Sequence, residues 1–358
     1  MTIACTWPRD TFATYNPYLF LFHTALTRNG VTFDGGVEIN NDWLKERRGR
    51  LDAIILHWGI DHFWRGRGTS RLAVGRAMIG LWRYFRAARR QGVRVVWVVH
   101  DLQPHERWSA SDRIGYRLLA RASDVCLLHS EQSRLTFAAR YPSAAGKTMV
   151  FPIGNYDGFY PPASSNPRAR FGLPTTSRIL LCPGLLRPYK GYETAIDAMK
   201  YLSTEYTLVV AGPPSVPSYV DELRRRAGDR ANIILLPKIL DDQEYADIHA
   251  AADCVLLPYR KITGSSALMA AVTLGRGVVA SQLPYFQEML AQDPVAGVMH
   301  TPDDPAALAK AVQEFFTVPV EVRSLAARKL ADRYPWDKCI EPLVSYFRND
   351  TLKNGRNA

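Results

Sequence analysis

The sequence predicts an α/β protein that contains two doubly wound parallel sheets. Short apolar runs of strand length alternate with helical patterns through both halves of the chain, which is the order of consecutive βαβ units. Residues 154–177 are dense in Gly, Pro, Ser and Asn and lack hydrophobic periodicity, so they predict a linker between the halves. The length of 358 residues suits two domains that each bury a core.

The candidate elements follow one another in a regular order. The predicted strands are residues 2–7, 53–58, 93–100, 125–130, 148–153, 178–184, 206–212, 232–237, 254–259 and 277–281. The predicted helices are residues 18–29, 72–91, 113–122, 131–140, 193–201, 216–228, 242–251, 267–274 and 305–316. From this order we expect one domain over residues 1–160, a second over residues 161–335, and a C-terminal helix in residues 336–358.

Composition and charge indicate a cytoplasmic protein with anionic partners. Lys and Arg number 45 against 34 Asp and Glu, which gives a net charge of +11. Such a balance attracts polyanions or acidic membrane surfaces. The chain shows no recognition-helix or RNA-binding motif, so nucleic acid is not an expected partner. No apolar run approaches the ~18 residues of a membrane-spanning helix, and the N-terminus is too polar for a signal peptide.

The positive charge concentrates between Arg65 and Arg94, a range that contains the predicted helix of residues 72–91. A helix would place a basic face beside an aromatic face, and this combination suits the headgroup region of a bilayer. The alternative is a helix that packs on the core and exposes a solvated arginine face. The basic residues are Arg83, Arg86, Arg89 and Arg90, and the apolar ones are Leu81, Trp82, Tyr84 and Phe85.

Five cysteines lie far apart in mostly apolar runs and show no CxxC spacing. They predict small buried side chains in a reducing compartment, without a disulfide framework or a zinc site.

In open parallel sheets, ligands bind at the carboxyl ends of the strands. That rule selects the residues that directly follow each predicted strand. They are residues 7–10, 57–61, 100–106, 129–131, 184–190, 212–214, 259–266 and 281–284.

The stretch GLLRPYKG, residues 184–191, joins a predicted strand to a predicted helix and carries Arg187 and Lys190. Two cations together with helix N-terminal amides would hold a diphosphate. During group transfer, fixed cations would also stabilise the negative charge that develops on a leaving phosphate. The alternative is a surface turn with solvated cations.

A second candidate phosphate contact lies at the start of the helix predicted at residues 267–274. Gly264, Ser265 and Ser266 precede this helix, where free N–H groups can bind a phosphate oxygen. The serine side chains would alternatively act as helix caps.

Five motifs in this order resemble GT-B glycosyltransferases, which transfer sugars from nucleotide donors. They are VVHDLQPHE, HSEQS, GLLRPYKG, AADCVLLPYR with ITGSSALMAA, and GRGVVAS. The resemblance covers roughly residues 1–345. Within this family the chain is similar to bacterial exopolysaccharide enzymes of the group-1/family-4-like type that extend polyprenyl-diphosphate-linked sugars. Xanthan-pathway β-mannosyltransferases are one such group, and they share the Asn16-Pro17-Tyr18 triplet.

The resemblance implies two Rossmann-like domains that face each other across a cleft. The first would bind the acceptor and the second the nucleotide sugar, and the C-terminal helix after Trp336 would cross back to the first. Arg187 and Lys190 would bind the donor diphosphate, and His100 would lie near the transferred sugar. The other expected donor contacts are Gly264, Ser265, Ser266, Gly212 and Tyr259.

The chain departs from the family in one informative place. Retaining members of the large mannosyltransferase and sucrose-synthase group carry two Glu residues, and their positions correspond to Ile262 and Ala270 here. The absence of both carboxylates favours inverting transfer, which needs a general base to accept the proton of the acceptor hydroxyl. We expect Asp101 or Glu106 to be that base, with His100 orienting the sugar. His105 and Glu106 would alternatively form a capping or ion pair.

No cofactor is expected besides the donor, a UDP- or GDP-sugar. His57, Asp61 and His62 fit a metal site by spacing, but the family resemblance disfavours one, because GT-B enzymes generally use protein cations instead.

The leading hypothesis is an inverting hexosyltransferase that builds a surface polysaccharide or exopolysaccharide at the inner membrane face. It would use a polyprenyl-diphosphate-linked saccharide as acceptor and touch the membrane through residues 72–91. Two alternatives keep the same fold, namely a retaining transferase and a non-catalytic subunit that binds sugar nucleotides. A dehydrogenase is disfavoured, because no G-x-G-x-x-G follows the first strand of either half.

Overall fold

The structure is a computed structural model that describes residues 2–8, 17–60, 63, 71–102 and 109–353. The chain forms two compact units. The first consists of Met1–Ile153 together with Trp336–Ala358, and the second consists of Gly154–Pro335.

Strands and helices alternate along both units. The strands are β1 (Thr2–Trp7), β2 (Val31–Gly36), β3 (Ala53–His57), β4 (Arg94–Val98), β5 (Val125–Leu128), β6 (Thr148–Val150), β7 (Arg178–Pro183), β8 (Tyr206–Ala211), β9 (Ile233–Leu236), β10 (Cys254–Leu257), β11 (Val278–Ser281) and β12 (Gly297–His300). The helices are α1 (Tyr18–Arg28), α2 (Asn41–Glu46), α3 (Arg71–Arg90), α4 (Ala110–Ala122), α5 (Glu131–Arg140), α6 (Pro167–Arg170), α7 (Tyr192–Ala198), α8 (Pro217–Ala227), α9 (Asp242–Ala251), α10 (Ser266–Thr273), α11 (Pro284–Leu290), α12 (Pro305–Phe315), α13 (Val320–Asp332) and α14 (Trp336–Lys353).

Each unit contains a parallel sheet, which has six strands in the described part of the chain. The first sheet has the order β2-β1-β3-β4-β5-β6, and the second has the order β12-β11-β10-β7-β8-β9. The chain direction across the sheet therefore reverses between β1 and β3 in the first unit and between β7 and β10 in the second. Such a reversal opens a crevice at the carboxyl ends of the strands, which is where open α/β sheets bind ligands.

The central strands form the cores because their side chains are apolar on both faces. All five residues of β3 and all four of β5 and β10 are buried. Helices that cover both faces of a parallel sheet require such continuous apolar runs. The same runs allowed these strands to be located in the sequence.

Two strands were missed by the sequence analysis, β2 and β12. Each lies at an edge of its sheet. In β2 only Val31 is buried, and in β12 Met299 is 40% exposed. An edge strand is covered on fewer sides, so its sequence, VTFDGG or GVMH, need not form a long apolar run.

Helix α3 corrects the predicted aromatic face. Leu81, Tyr84 and Phe85 are buried in the core of the first unit, and only Trp82 of the four named apolar residues is exposed, at 47%. The alternative of a core-packed helix with a solvated arginine face therefore holds for most of this helix. Of the helices in the described ranges, none combines the length and apolar character needed to span a bilayer.

The C-terminal helix α14 packs on α1 within the first unit. The rings of Tyr18 and Trp336 meet at 5.5 Å between centroids. Asn29 donates to the Asp337 carboxylate at 3.2 Å, and Arg94 donates to the Phe347 carbonyl at 3.4 Å.

Candidate functional site

The ends of three adjacent strands meet closely in the second unit. Strand β7 lies between β8 and β10, and Gly184, Gly212 and Tyr259 follow these three strands. A Cβ atom on Gly212 would lie 2.2 Å from the Gly184 carbonyl oxygen, and one on Gly191 would lie 2.1 Å from the Pro258 carbonyl oxygen. Only glycine permits these approaches, which bring the turn of residues 184–191 against the two neighbouring loops.

Lys190 lies near the end of this turn and is 7% exposed. Its Nζ atom donates to the Pro183 carbonyl at 3.4 Å and lies 5.3 Å and 5.8 Å from the ring centres of Tyr259 and Tyr192. Burial, and then the nearby Arg187 charge, lower the pKa of Lys190 to about 7. Aromatic faces stabilise an ammonium only weakly, so a bound anion would complete its environment.

Arg187 begins the short 3₁₀ turn Pro188–Lys190 and is half-buried. Its Nε donates to the hydroxyl of Ser215 in the loop after β8 at 2.9 Å. The structure therefore brings Arg187 and Lys190 to one sheet edge, as the diphosphate hypothesis requires.

Arg260 ties the Arg187–Lys190 turn to its surroundings. It falls within the strand-end range 259–266, but no role was predicted for it. Its guanidinium contacts the Glu193 carboxylate at 2.5 Å, the Pro188 carbonyl at 2.7 Å and the Asp303 carboxylate at 2.7 Å. Its backbone N–H donates to the Tyr189 carbonyl at 2.9 Å. Its position directly after β10 and beside Tyr259 is the signal by which it could have been found.

The start of α10 is capped by Ser265. This residue is buried, and its hydroxyl accepts a hydrogen bond from the Leu268 N–H at 3.1 Å. Gly264 and Ser266, on either side of it, are half-buried. The Ser265 side chain thus serves the helix, so a phosphate contact at Ser265 would come from its backbone N–H group.

The two positions where retaining relatives carry Glu lie in this same region. Ile262 is half-buried in the loop before α10, and Ala270 is buried within that helix. Neither side chain can carry a charge or accept a hydrogen bond.

In the first unit, three histidines form a row at the ends of β3, β4 and β5. His57 Nδ1 lies 3.2 Å from His100 Nε2, and His100 Nδ1 lies 3.3 Å from His129 Nε2. His129 Nδ1 lies 3.0 Å from the Phe151 carbonyl oxygen. Adjacent parallel strands end side by side, so residues far apart in sequence meet here.

The Phe151 carbonyl determines the direction of the whole row. A carbonyl only accepts, so His129 must carry its proton on Nδ1. With neutral rings, His100 then donates from Nδ1 to His129, and His57 donates from Nδ1 to His100. His57 Nε2 is left unprotonated, and this buried atom has no hydrogen-bond partner among the described residues.

Burial keeps these histidines neutral. It lowers the pKa of His57 and His100 well below the usual value. The charges of His23 and then His129 lower the pKa of His57 further, and those of His129 and then His57 lower the pKa of His100. Burial also lowers the pKa of His129 to about 4, although its hydrogen bond to Phe151 acts in the opposite direction. Each ring is hydrogen-bonded to the next one in the row, so the ring nitrogens do not point towards one common centre. The described residues contain no group of His, Cys, Asp or Glu side chains arranged to hold a metal ion.

Aromatic rings surround the row. Tyr18 meets all three histidines edge-on at 5.0 to 5.9 Å between centroids, and Trp58 stacks on His100 at 4.3 Å. Trp58 has a φ of 59°, which is uncommon for a large side chain. Its carbonyl accepts from the Trp97 indole N–H at 2.7 Å, which helps hold this backbone conformation.

The two predicted general bases, Asp101 and Glu106, come shortly after His100 in the sequence. Asp101 is half-buried next to His100, and its charge acts on His129. Tyr141 holds the same loop through a 3.0 Å hydrogen bond to the Leu102 carbonyl. The remaining sequence candidates, Glu106, His105, Asp61 and His62, lie outside the described residues.

Comparison with known proteins identifies the family of the second unit. Residues 177–317 match the family described as "Glycosyl transferases group 1". The second unit contains a group 1 glycosyltransferase domain. This domain carries the Arg187–Lys190 turn, Arg260 and the start of α10, so the candidate phosphate site lies within the matched region.

Curated relatives match about two thirds of the chain. The D-inositol 3-phosphate glycosyltransferase of Xylanimonas cellulosilytica is 26% identical over 253 residues, which are 67% of this chain and 60% of that protein. The GDP-mannose:glycolipid 4-beta-D-mannosyltransferase of Xanthomonas campestris pv. campestris is 26% identical over 232 residues, 64% of this chain and 61% of that protein. The chain therefore spans about 60% of the length of these two relatives.

Solved structures confirm the predicted fold class. HepE of Anabaena, determined in complex with UDP, has a TM-score of 0.74 at 17% identity, over 98% of this chain and 100% of that chain. Sucrose-phosphate synthase of Thermosynechococcus elongatus has a TM-score of 0.72 at 17% identity, over 99% and 100%. The GT-B fold expected from the motifs is confirmed.

Proposed function

We propose that this protein moves a sugar from a UDP- or GDP-sugar to a lipid-linked saccharide, with inversion at the anomeric carbon. The observation that carries the proposal is the Arg187–Lys190 turn. This turn follows β7, where the strand order of the second sheet reverses, and it lies in the region that matches the group 1 family. Its two cations could bind an anion there.

The shared chemistry of the two donor classes supports this role. UDP- and GDP-sugars carry the same diphosphate, and its negative charge increases when the sugar leaves. Arg187 and Lys190 would stabilise that charge as fixed cations, without a metal ion. One relative is named for GDP-mannose and one solved neighbour contains UDP, so both bases remain in the proposal.

A lipid-linked acceptor is supported by a relative and by the surface of α3. The Xanthomonas relative is named for a glycolipid acceptor. In this chain, Leu72, Ile79 and Trp82 are 78%, 53% and 47% exposed along α3, next to the exposed Arg83 and Arg86. Exposed apolar side chains beside arginines are suited to the headgroup layer of an anionic membrane. We therefore place the protein at the cytoplasmic face of the inner membrane and its product in a surface polysaccharide or exopolysaccharide.

Asp101 is our proposed general base, with Glu106 as the second candidate. The apolar side chains at Ile262 and Ala270 remove the carboxylates of retaining relatives, which supports direct displacement by the acceptor hydroxyl. His100 uses both ring nitrogens within the histidine row, so it would contact the sugar directly only if one of those bonds opened.

Transfer by the purified chain is the decisive experiment. UDP- and GDP-sugars would be supplied with a polyprenyl-diphosphate-linked saccharide, and product would be followed by mass spectrometry. Lys190→Ala should lower the rate by about a hundredfold or more, because one fixed cation at the leaving group is lost. The exposed Lys310→Ala is the matched control and should retain the wild-type rate. Wild-type turnover by Lys190→Ala would disprove the site.

The same assay tests the base and the stereochemistry. Asp101→Asn should lower kcat by about a hundredfold or more if Asp101 accepts the hydroxyl proton. Product NMR should show inverted anomeric configuration, whereas retention would favour the alternative transferase mechanism. A non-catalytic, nucleotide-binding subunit would bind a sugar nucleotide yet give no transfer as a single chain.

A further inference from the structure

Arg260 lies at a junction of three loops at the carboxyl edge of the second sheet. Its guanidinium contacts Pro188 in the loop after β7 and Asp303 in the loop after β12, and Arg260 itself follows β10. It also contacts Glu193 in the first turn of α7. One side chain therefore links the turn that carries Lys190 to two other loops and to the helix that follows.

Glu193 is a buried carboxylate, 7% exposed, three residues after Lys190. One of its oxygens contacts Arg260 at 2.5 Å, and the other accepts a hydrogen bond from the Tyr219 hydroxyl. The Tyr219 oxygen in turn accepts from the Tyr192 N–H at 3.1 Å. The carboxylate is thus held in place by partners from the loop after β10 and from α8.

The Glu193 carboxylate is negative and lies three residues after Lys190, in the helix that follows the proposed anion-binding turn. A negative charge that is buried beside an anion-binding turn opposes anion binding, and low surrounding polarity strengthens the effect. Arg260 supplies the compensating positive charge and at the same time fixes the Pro188 carbonyl, two residues before Lys190.

We propose that Arg260 is a positioning residue for the diphosphate site, which holds the Arg187–Lys190 turn and neutralises Glu193. This inference rests on the proposed function, because it takes the ligand of the turn to be a nucleoside diphosphate. Arg260 would act through the turn and through Glu193, without touching the donor itself.

Titration calorimetry with UDP and GDP on the full chain tests the proposal. Arg260→Met should weaken the binding of whichever nucleotide the wild type binds by about tenfold or more, since truncating one partner leaves a buried charge uncompensated. Arg168→Met is the matched control. Arg168 Nη2 donates to both carboxylate oxygens of Asp253, at 2.8 and 2.9 Å. Arg168 also donates to backbone carbonyls, as Arg260 does, but it lies beside the amino ends of β7 and β10. The Arg168→Met variant should have a lower melting temperature, but its nucleotide affinity should stay within about twofold of the wild type.

A double variant separates neutralisation from simple destabilisation. In Arg260→Met with Glu193→Gln, the residue at 193 still accepts from Tyr219 but carries no charge. Affinity should return to within about threefold of the wild type, although the melting temperature should not recover. A double variant that binds as weakly as Arg260→Met alone would overturn the neutralisation.

The remaining outcomes distinguish this inference from the function on which it rests. A wild-type protein that binds neither UDP nor GDP disproves the proposed function. If the wild type binds a nucleotide and Arg260→Met binds it equally well, only the role of Arg260 is disproved. The same holds if Arg168→Met loses as much affinity as Arg260→Met. In the transfer assay, Arg260→Met should raise the KM for the donor and leave the KM for the acceptor unchanged.

Discussion

Lys190 has an environment that disfavours its charge. Its side chain is buried beside the rings of Tyr192 and Tyr259, and its ammonium donates to one backbone carbonyl at 3.4 Å. With a pKa of about 7, the amine is partly neutral in the ligand-free protein at physiological pH. A diphosphate would favour the ammonium form and so raise this pKa.

Donor binding should therefore weaken as pH rises through about 7. Below this pKa the free protein already carries the ammonium, whereas above it a proton must be taken up on binding. We expect affinity for a UDP- or GDP-sugar to fall by about tenfold between about pH 6.5 and about pH 8.5. Calorimetry in buffers of different ionisation enthalpy would measure the proton uptake directly.

The control for this prediction is Lys190→Met, in which the titrating group is absent. Its weaker binding should show little dependence on pH over the same interval. A wild-type affinity that is constant across the interval would contradict the proton uptake.

The histidine row makes the first unit sensitive to acid. The pKa of His129 is about 4 in the folded protein against about 6.5 in an unfolded chain. The unfolded chain therefore binds the proton first as pH falls, so stability that is present above about pH 6.5 is lost towards pH 4. His129 alone should cost the first unit about 2 kcal/mol between about pH 7.5 and about pH 5.

Tryptophan fluorescence during urea unfolding would measure this loss. All eight tryptophans fall within Met1–Ile153 or Trp336–Ala358, so their emission reports on the first unit. His129→Gln keeps a donor for Phe151 and an acceptor for His100 but does not titrate. Between about pH 7.5 and about pH 5, the free energy of unfolding of His129→Gln should therefore fall by about 2 kcal/mol less than that of the wild type. An equal pH dependence in both proteins would refute the prediction.

Helix α3 has one face in the core and one face in solvent. Ala77, Leu81, Tyr84, Phe85 and Ala88 are buried at helical spacing. The opposite face combines the exposed apolar side chains with arginines, and the Arg86 guanidinium lies 5.2 Å above the Trp82 ring centre. This arrangement resembles neither a simple core helix nor a spanning helix, and it suits attachment parallel to a membrane surface.

Vesicle flotation would test that attachment. Ile79→Glu with Trp82→Glu should reduce binding to vesicles rich in phosphatidylglycerol by about tenfold, because apolar area is lost and negative charge is added. The matched control is Leu325→Glu on α13, where Leu325 is 65% exposed in the second unit. Both proteins should keep the wild-type melting temperature. Unchanged flotation of the α3 variant would exclude this face as the membrane contact.

The uneven distribution of tryptophan also allows the two units to be followed separately in the whole molecule. Residues 154–335 contain none of the eight tryptophans. Far-UV circular dichroism reports on both units, whereas tryptophan emission reports on the first. A ligand of the second unit should therefore affect the two signals differently during thermal unfolding.

We expect UDP or GDP to raise the unfolding temperature of the second unit. At about a hundred times Kd the stabilisation would be about 3 kcal/mol, which corresponds to several degrees. The dichroism transition should move while the tryptophan transition serves as an internal reference, and Lys190→Ala should abolish the shift. A nucleotide that moves only the tryptophan transition would place the donor site in the first unit and contradict the assignment.

The two doubly wound sheets were predictable because buried parallel strands are short apolar runs that can be located without knowing their neighbours, whereas the GT-B class was predicted from the resemblance of five motifs. The turn around Lys190 was predictable as well, since strand ends are where parallel sheets bind ligands. The edge strands β2 and β12 were missed because partial exposure leaves them without such runs. The prediction of an exposed aromatic face on α3 was wrong, because adjacent residues on a helix point in different directions. Tyr84 and Phe85 face the core.

Local patterns along the chain thus determined most of the strands and helices, and where the cations of the candidate phosphate site would be. The order of strands across each sheet decided which of those segments meet. His57, His100 and His129 are separated by 43 and 29 residues and become neighbours only because β3, β4 and β5 are adjacent. Arg260 and Glu193 meet for the same reason, because β10 lies next to β7, and pairing between distant segments leaves no periodic signal in a single sequence.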